Sequence, residues 1–139
     1  MAQLVRDVMT SNPVSLARDA TALDAARQMR ENDTGAILVS DGEDLQGIVT
    51  DRDIVLRSVA EGVDPAECRI GDICSSDVQA VAPDQPVEEA IRVMREHDIR
   101  RIPVVENGAP AGILSLGDVA IARDSQSVLA DISAAPANN

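Results

Sequence analysis

Apolar residues fall at Ala22, Ala25, Ala26 and Met29, and again at Val87, Ala90, Ile91 and Met94. Both sets follow i, i+3, i+4, i+7, so each predicts a helix with one buried face. Asp19 or Thr21 opens the first helix, and Asp84, with Pro86 near the first turn, opens the second. Short apolar runs at 36–39 and 102–105 predict strands that reverse at Asp41-Gly42 and Asn107-Gly108 and return over 46–49 and 111–114. A short extended piece precedes each helix, at 13–16 and 78–81, and a closing helix follows each hairpin, over 52–60 and 117–124. The order β-α-β-β-α therefore occurs twice.

The duplication is visible residue by residue. At an offset of 65 without gaps, Asp7 matches Asp72, Asp19 matches Asp84, Ala25 matches Ala90, Met29 matches Met94, Ile37 matches Ile102, Gly47 matches Gly112 and Asp53 matches Asp118. This divides the chain into a first domain at 4–60, a linker at 61–69, a second domain at 70–125 and an extension at 126–139 with a disordered tail. Asp64 ahead of Pro65 and Glu67 marks one capped turn in the linker. One repeat buries too little apolar surface to be secure alone. The expected fold is thus α/β (α+β), with two β-α-β-β-α repeats packed sheet to sheet about a pseudo-twofold axis.

Charge and composition narrow the function. The formal charge of −12 opposes phosphate backbones and anionic lipid, so neither nucleic acid nor membrane is an expected partner. No apolar run is long enough to span a bilayer, and the N-terminus lacks the apolar stretch of a secretory signal. Cys68 and Cys74 match neither a redox pair nor a zinc pair and read as reduced thiols, which predicts a cytoplasmic protein. Cys74 aligns with Met9 and reads as core, whereas Cys68 falls in the linker, open to reaction. Phe, Tyr and Trp are absent, so a bound base would lie between aliphatic side chains and backbone. Moderate stability reinforced by self-association is expected from such a core.

The segments that could carry chemistry are Gly47-Ile48-Val49-Thr50-Asp51-Arg52-Asp53 and Gly112-Ile113-Leu114-Ser115-Leu116-Gly117-Asp118. Each runs from a strand end into a helix start with a hydroxyl three residues before an Asp. One reading is a capping box, with Thr50 or Ser115 as cap and the Asp reaching back. The other is a ligand corner: hydroxyl and free N–H groups suit a phosphate, the carboxylate suits a ribose diol, and the preceding Gly permits close backbone approach.

The repeat, with its G-h-x-[T/S]-x-x-D ending, resembles the CBS domain, and the two copies resemble a CBS pair, or Bateman module, over roughly 4–125. The stretch around Gly47–Val55 and the chain length are most similar to stand-alone bacterial CBS-pair proteins of the hypoxic-response or stress type. The resemblance implies a regulatory sensor, not an enzyme, that binds AMP, ADP, ATP or a related adenosyl ligand between the domains and requires no cofactor. It implies ribose contacts from Asp53 and Asp118, and phosphate contacts from Thr50, Ser115, Arg52, Arg100 and Arg101. An adenine slot would be walled by Val8, Met9, Ile37 and Leu38 from one copy, and by Ile73, Cys74, Ile102 and Pro103 from the other. Core packing is the alternative for these apolar residues, and an ion pair with Glu96 or Asp98 is the alternative for the arginines. Gly35 and Ala36 replace the Arg pair in copy one, and Gly117 replaces Arg52 in copy two, so the sites are unequal.

The family implies a homodimer and a regulated protein partner. A structural or interaction module that binds no nucleotide is the competing reading. Catalysis has little support: His97, at a helix end beside Asp98, suits a dipole contact, and the acidic stretch 41–44 suits a solvated hairpin tip better than a metal loop.

Overall fold

The computed structural model describes residues 3–123, which fall into two compact units: Val14–Val78, and 3–13 together with 79–123. The units are not the sequence repeats. Each unit takes in the short segment that leads into the other repeat.

In the Val14–Val78 unit, β2 (Ser15–Leu16) runs parallel to β3 (Ala36–Asp41), and β3 pairs antiparallel with β4 (Asp44–Thr50). Helix α2 (Ala22–Asn32) starts at Thr21, whose hydroxyl accepts the Asp24 N–H while the Asp24 carboxylate accepts the Thr21 N–H. Thr21, and not Asp19, is therefore the cap. Its inner face, Ala22, Ala25 and Met29, meets Ile37, Val39 and Val49 in the core. The segment before the second repeat is bonded onto this unit: Ala22 N–H donates to the Cys68 carbonyl at 2.7 Å, and Ile70 N–H to the Ala20 carbonyl at 2.8 Å. A one-turn helix α4 (Ile70–Ile73) buries Ile70 and Ile73 there. Cys68 accordingly lies buried in the core, not in an open linker. The capped turn at Asp64 is present, with its carboxylate accepting the Ala66 N–H.

The other unit repeats the plan. Strand β1 (Thr10–Ser11) pairs with β6 (Ala109–Ser115), which pairs with β5 (Arg101–Glu106), both antiparallel. Helix α5 (Val87–His97) follows Pro86, without a side-chain cap, so Asp84 does not cap it. Val87, Ala90 and Met94 join Ile102, Val104 and Leu114 in the core. The one-turn helix α1 (Val5–Val8) docks here, with Val5 N–H donating to the Gln85 carbonyl at 2.9 Å. In place of the extended piece expected at 78–81, only Val81 bridges, to Val104.

Both hairpins have two-residue loops and an irregularity at matching places, Val39/Ser40 and Val104/Val105. Asn107 and Gly108 both take positive φ, as the sequence signal requires. In the first hairpin the loop sits one residue later than the Asp41-Gly42 signal, because Asp41 still pairs with Asp44 and Gly42 supplies the positive φ.

The closing helices differ. In the second repeat α6 (Leu116–Arg123) is α-helical as far as it is described. In the first, α3 (Asp51–Ile54) widens into a π turn at Val55–Val59, closed by Ala60 N–H donating to the Val55 carbonyl. The extension expected at 126–139 lies outside the described residues.

Candidate functional site

The two strand-to-helix corners have the same geometry. Thr50 Oγ1 accepts the Asp53 N–H at 3.2 Å, and Asp53 Oδ2 accepts the Thr50 N–H at 2.9 Å. Ser115 Oγ accepts the Asp118 N–H at 3.0 Å, and Asp118 Oδ2 accepts the Ser115 N–H at 3.0 Å. The capping box is thus real in both copies. It does not exhaust the groups. Each hydroxyl still has its proton to donate, and each carboxylate keeps a second oxygen as acceptor. Both Asp side chains are half-buried.

Backbone donors tell a different story. In the first corner the Asp51 N–H donates to the Gly35 carbonyl, the Arg52 N–H to Asp51 Oδ1, and the Asp53 N–H to Thr50. The free N–H groups expected for a phosphate at this helix start are consumed by the fold. Phosphate contacts there fall to side chains, the Thr50 hydroxyl and the exposed Arg52.

The glycines before the corners are needed, but for another reason than the one expected. A Cβ on Gly47 would stand 2.5 Å from the Ser75 carbonyl oxygen, and one on Gly112 would stand 2.7 Å from the Thr10 carbonyl oxygen and from Met9 Sδ. The close approach is to the leading segment of the other repeat, which lies along the strand edge.

Those leading segments bring the apolar candidates together within each unit. Ile73 and Cys74 join Ile37, Leu38, Thr50, Arg52 and Asp53; Val8 and Met9 join Arg100, Arg101, Ile102, Pro103, Ser115 and Asp118. Their environments differ. Ile37 and Ile102 point into the two cores with no exposure, so their side chains pack the interior and leave only backbone for a slot. Ile73 and Cys74 are also buried in the core. Leu38 and Pro103 occupy the opposite strand face from Ile37 and Ile102 and are fully buried. Val8 and Met9 are half-buried against the core.

Arg101 pairs in register with Ser115, and the Arg100 carbonyl accepts the Leu116 N–H at 2.9 Å, so both arginines stand at the mouth of the second corner. Among the described residues no carboxylate lies within ion-pair reach of either. Glu96, the alternative partner, is bonded to Arg92 instead. In the first corner Ala36 pairs with Thr50, and the same strand end carries no charge.

Two arginines went unread in the sequence. Arg57 Nη1 donates to the Ile73 carbonyl at 3.0 Å, and its Nε stands 4.0 Å from Asp53 Oδ1. Arg18 Nη2 donates to the Gly71 carbonyl at 2.9 Å, with Nη1 4.0 Å from Cys74 Sγ. The i,i+4 spacing of Asp53 and Arg57, and the break in the repeat at Ala122, were the available signals. His97 is exposed in the last turn of α5.

With this geometry in place, the comparisons identify the family. The family model described as CBS domain matches twice, over 5–59 and 70–125, and the chain belongs to that family. It is 35% identical over 117 residues to the CBS domain-containing protein YhcV of Bacillus subtilis, covering 84% of this chain and 83% of that protein. It is 34% identical over 116 residues to hypoxic response protein 1 of Mycobacterium tuberculosis, covering 83% and 81%. The crystal structure of hypoxic response protein I with two coordinated zinc ions matches with a TM-score of 0.77 at 34% identity, over 85% of this chain and 97% of that one. Among the described residues here, no group of three or more His, Cys, Asp or Glu side chains is placed to hold a metal ion. A hexameric CBS-CP12 protein from bloom-forming cyanobacteria matches with a TM-score of 0.81 at 30% identity, over 92% and 77%. No helix among the described residues is long and apolar enough to cross a membrane.

Proposed function

We propose that this CBS pair is a regulatory, non-catalytic module that binds an adenosyl ligand, AMP, ADP or ATP, and signals to a protein partner by a change of conformation. The observation that carries this reading is the duplicated corner. A half-buried carboxylate and a hydroxyl with a spare proton sit at a strand end in both units, beside an apolar leading segment. Asp53 and Asp118 take the ribose diols. Thr50, Ser115, Arg52, Arg100 and Arg101 take phosphate, and the arginines at the second corner offset the repulsion of a strongly acidic chain. The base lies against aliphatic side chains and backbone, since the chain has no aromatic residue.

Self-association is the second part of the proposal. Val55, Leu56 and Val59 on the π turn, together with Val63 and Leu116, are large apolar residues left exposed. They fit a homodimer, and a relative of the same fold is hexameric.

Thermal unfolding with and without millimolar AMP, ADP and ATP tests the ligand. At one hundred times its dissociation constant a ligand stabilises the fold by about 2.7 kcal/mol. No shift with any of the three, together with native mass spectrometry showing no retained nucleotide, sinks the adenosyl reading in favour of an interaction module that binds none.

A further inference from the structure

The two units hold their leading segments differently. In the Val14–Val78 unit, two guanidinium groups clasp the segment that carries α4: Arg18 bonds the Gly71 carbonyl at 2.9 Å and Arg57 bonds the Ile73 carbonyl at 3.0 Å. At the offset of 65, Arg18 corresponds to Pro83 and Arg57 to Ala122, neither of which can donate such a bond. Among the described residues, no side chain clasps the α1 segment of the other unit in this way.

Arg57 does more than hold the segment. Its Nε faces Asp53 Oδ1 at 4.0 Å, and the Asp53 side chain is only 15% exposed. That separation is too long for a hydrogen bond, so the oxygen keeps its lone pairs for another donor. The guanidinium spans the carboxylate at the corner and the backbone just before Cys74, fixing their relative position in the free protein. It projects from the π turn, a widened helical geometry that recurs at functional sites and has no counterpart among the described residues of α6.

We propose that Arg57 is a positioning residue that preforms the ligand corner of the Val14–Val78 unit, so that the two adenosyl sites differ in affinity through preorganisation as well as through charge. This rests on the adenosyl reading above. A group that holds two walls of a site at their bound spacing lowers the ordering cost of binding. Arg57 is itself about half exposed, so a several-fold effect is expected, not an all-or-none one.

The test is AMP titration by calorimetry on the whole chain, with each corner disabled in turn. With Asp118→Asn present, Arg57→Ala is expected to weaken AMP binding about five- to tenfold and Arg57→Lys to restore part of the loss. With Asp53→Asn present, Arg57→Ala is expected to leave the remaining affinity unchanged, which a general loosening of the fold would not do. Amide exchange without ligand gives a second readout. In Arg57→Ala, the N–H groups of Cys74 and Ser75, bonded to the Ile70 and Ile48 carbonyls, should exchange several-fold faster. The Met9 N–H, bonded to the Val5 carbonyl in the other unit, should be unaffected. Equal affinity with and without Arg57, an equal loss at both corners, or unchanged exchange at Cys74 and Ser75 each overturns the proposal. Failure of the unmodified chain to bind AMP, ADP or ATP removes the adenosyl reading itself, a result distinct from binding that ignores Arg57. Where ADP or ATP binds in place of AMP, that nucleotide takes its place in the titration.

Discussion

Gly47 lies against Ser75 so closely that even a methyl group has no room: a Cβ at this position would stand 2.5 Å from the Ser75 carbonyl oxygen. Around that contact the Ile48 N–H donates to the Ser75 carbonyl at 3.1 Å, and the Ser75 N–H donates back to the Ile48 carbonyl at 2.9 Å. The obstacle is hydrogen-bonded backbone, which cannot swing away. Gly47→Ala is therefore expected to lower stability by about 1–3 kcal/mol, the usual cost of forcing a methyl group into a packed site. Gly112→Ala should behave alike against Thr10, tempered by the flexible Met9. Denaturant unfolding of both variants measures this, and unchanged midpoints would show that the leading segments are not seated as described.

The corner carboxylates have a structural duty and a proposed ligand duty, and substitution can separate them. Thr50→Ala or Ser115→Ala removes the hydroxyl that accepts the Asp N–H and should cost about 0.5–2 kcal/mol. Asp53→Asn and Asp118→Asn keep an oxygen for the Thr50 and Ser115 N–H groups but lose the charge. Each should unfold near the unmodified temperature, and the double variant should lose the thermal shift with AMP. An intact shift in the double variant would remove Asp53 and Asp118 from the site.

Acid sensitivity has one identifiable contributor in α2. Hydrogen bonding from the Thr21 backbone, then from its side chain, holds the Asp24 carboxyl below its ordinary range, with a smaller pull from Arg27. A carboxyl depressed in the folded state binds fewer protons there than in the unfolded chain. It therefore adds stability above its unfolded pKa, near 4, and that contribution fades as pH falls through the folded value. Asp24→Asn should flatten the stability profile below about pH 4 and leave the pH dependence near neutrality unchanged. Glu89, lowered by its hydrogen bond to Arg92, acts in the same direction, so Asp24→Asn should flatten the profile only in part.

Exposed Val55, Leu56 and Val59 predict where copies of the chain meet. Leu56→Glu with Val59→Glu places charge on that patch without entering the core and should shift the protein toward monomer by light scattering. Retained oligomers of unchanged mass would move the interface elsewhere.

The extent of legibility followed the range of the interactions involved. Helix α2, helix α5 and both hairpins were readable because period, cap and turn residues act over a few positions. The capping boxes at Thr50 and Ser115 were readable for the same reason, as was the inequality between Arg100-Arg101 and Gly35-Ala36. Helices α1 and α4 were missed because four residues carry too little periodicity to register. Cys68 was misplaced because its burial depends on Ala22 and Ile70 closing around it, a contact that linker composition does not encode.

By itself, then, the sequence determined the duplicated β-α-β-β-α order, the family and the chemistry available at each corner, since all of these are written in local pattern and residue identity. The tertiary structure alone decided that each leading segment completes the other repeat's unit. It alone put Ile37 and Ile102 inside the cores, consumed the backbone donors of the first corner, and set Arg57 across Asp53 and Ile73. Those outcomes arise because unpaired strand edges and apolar faces are satisfied by whichever distant segment folds against them, and no local window of residues records which segment that will be.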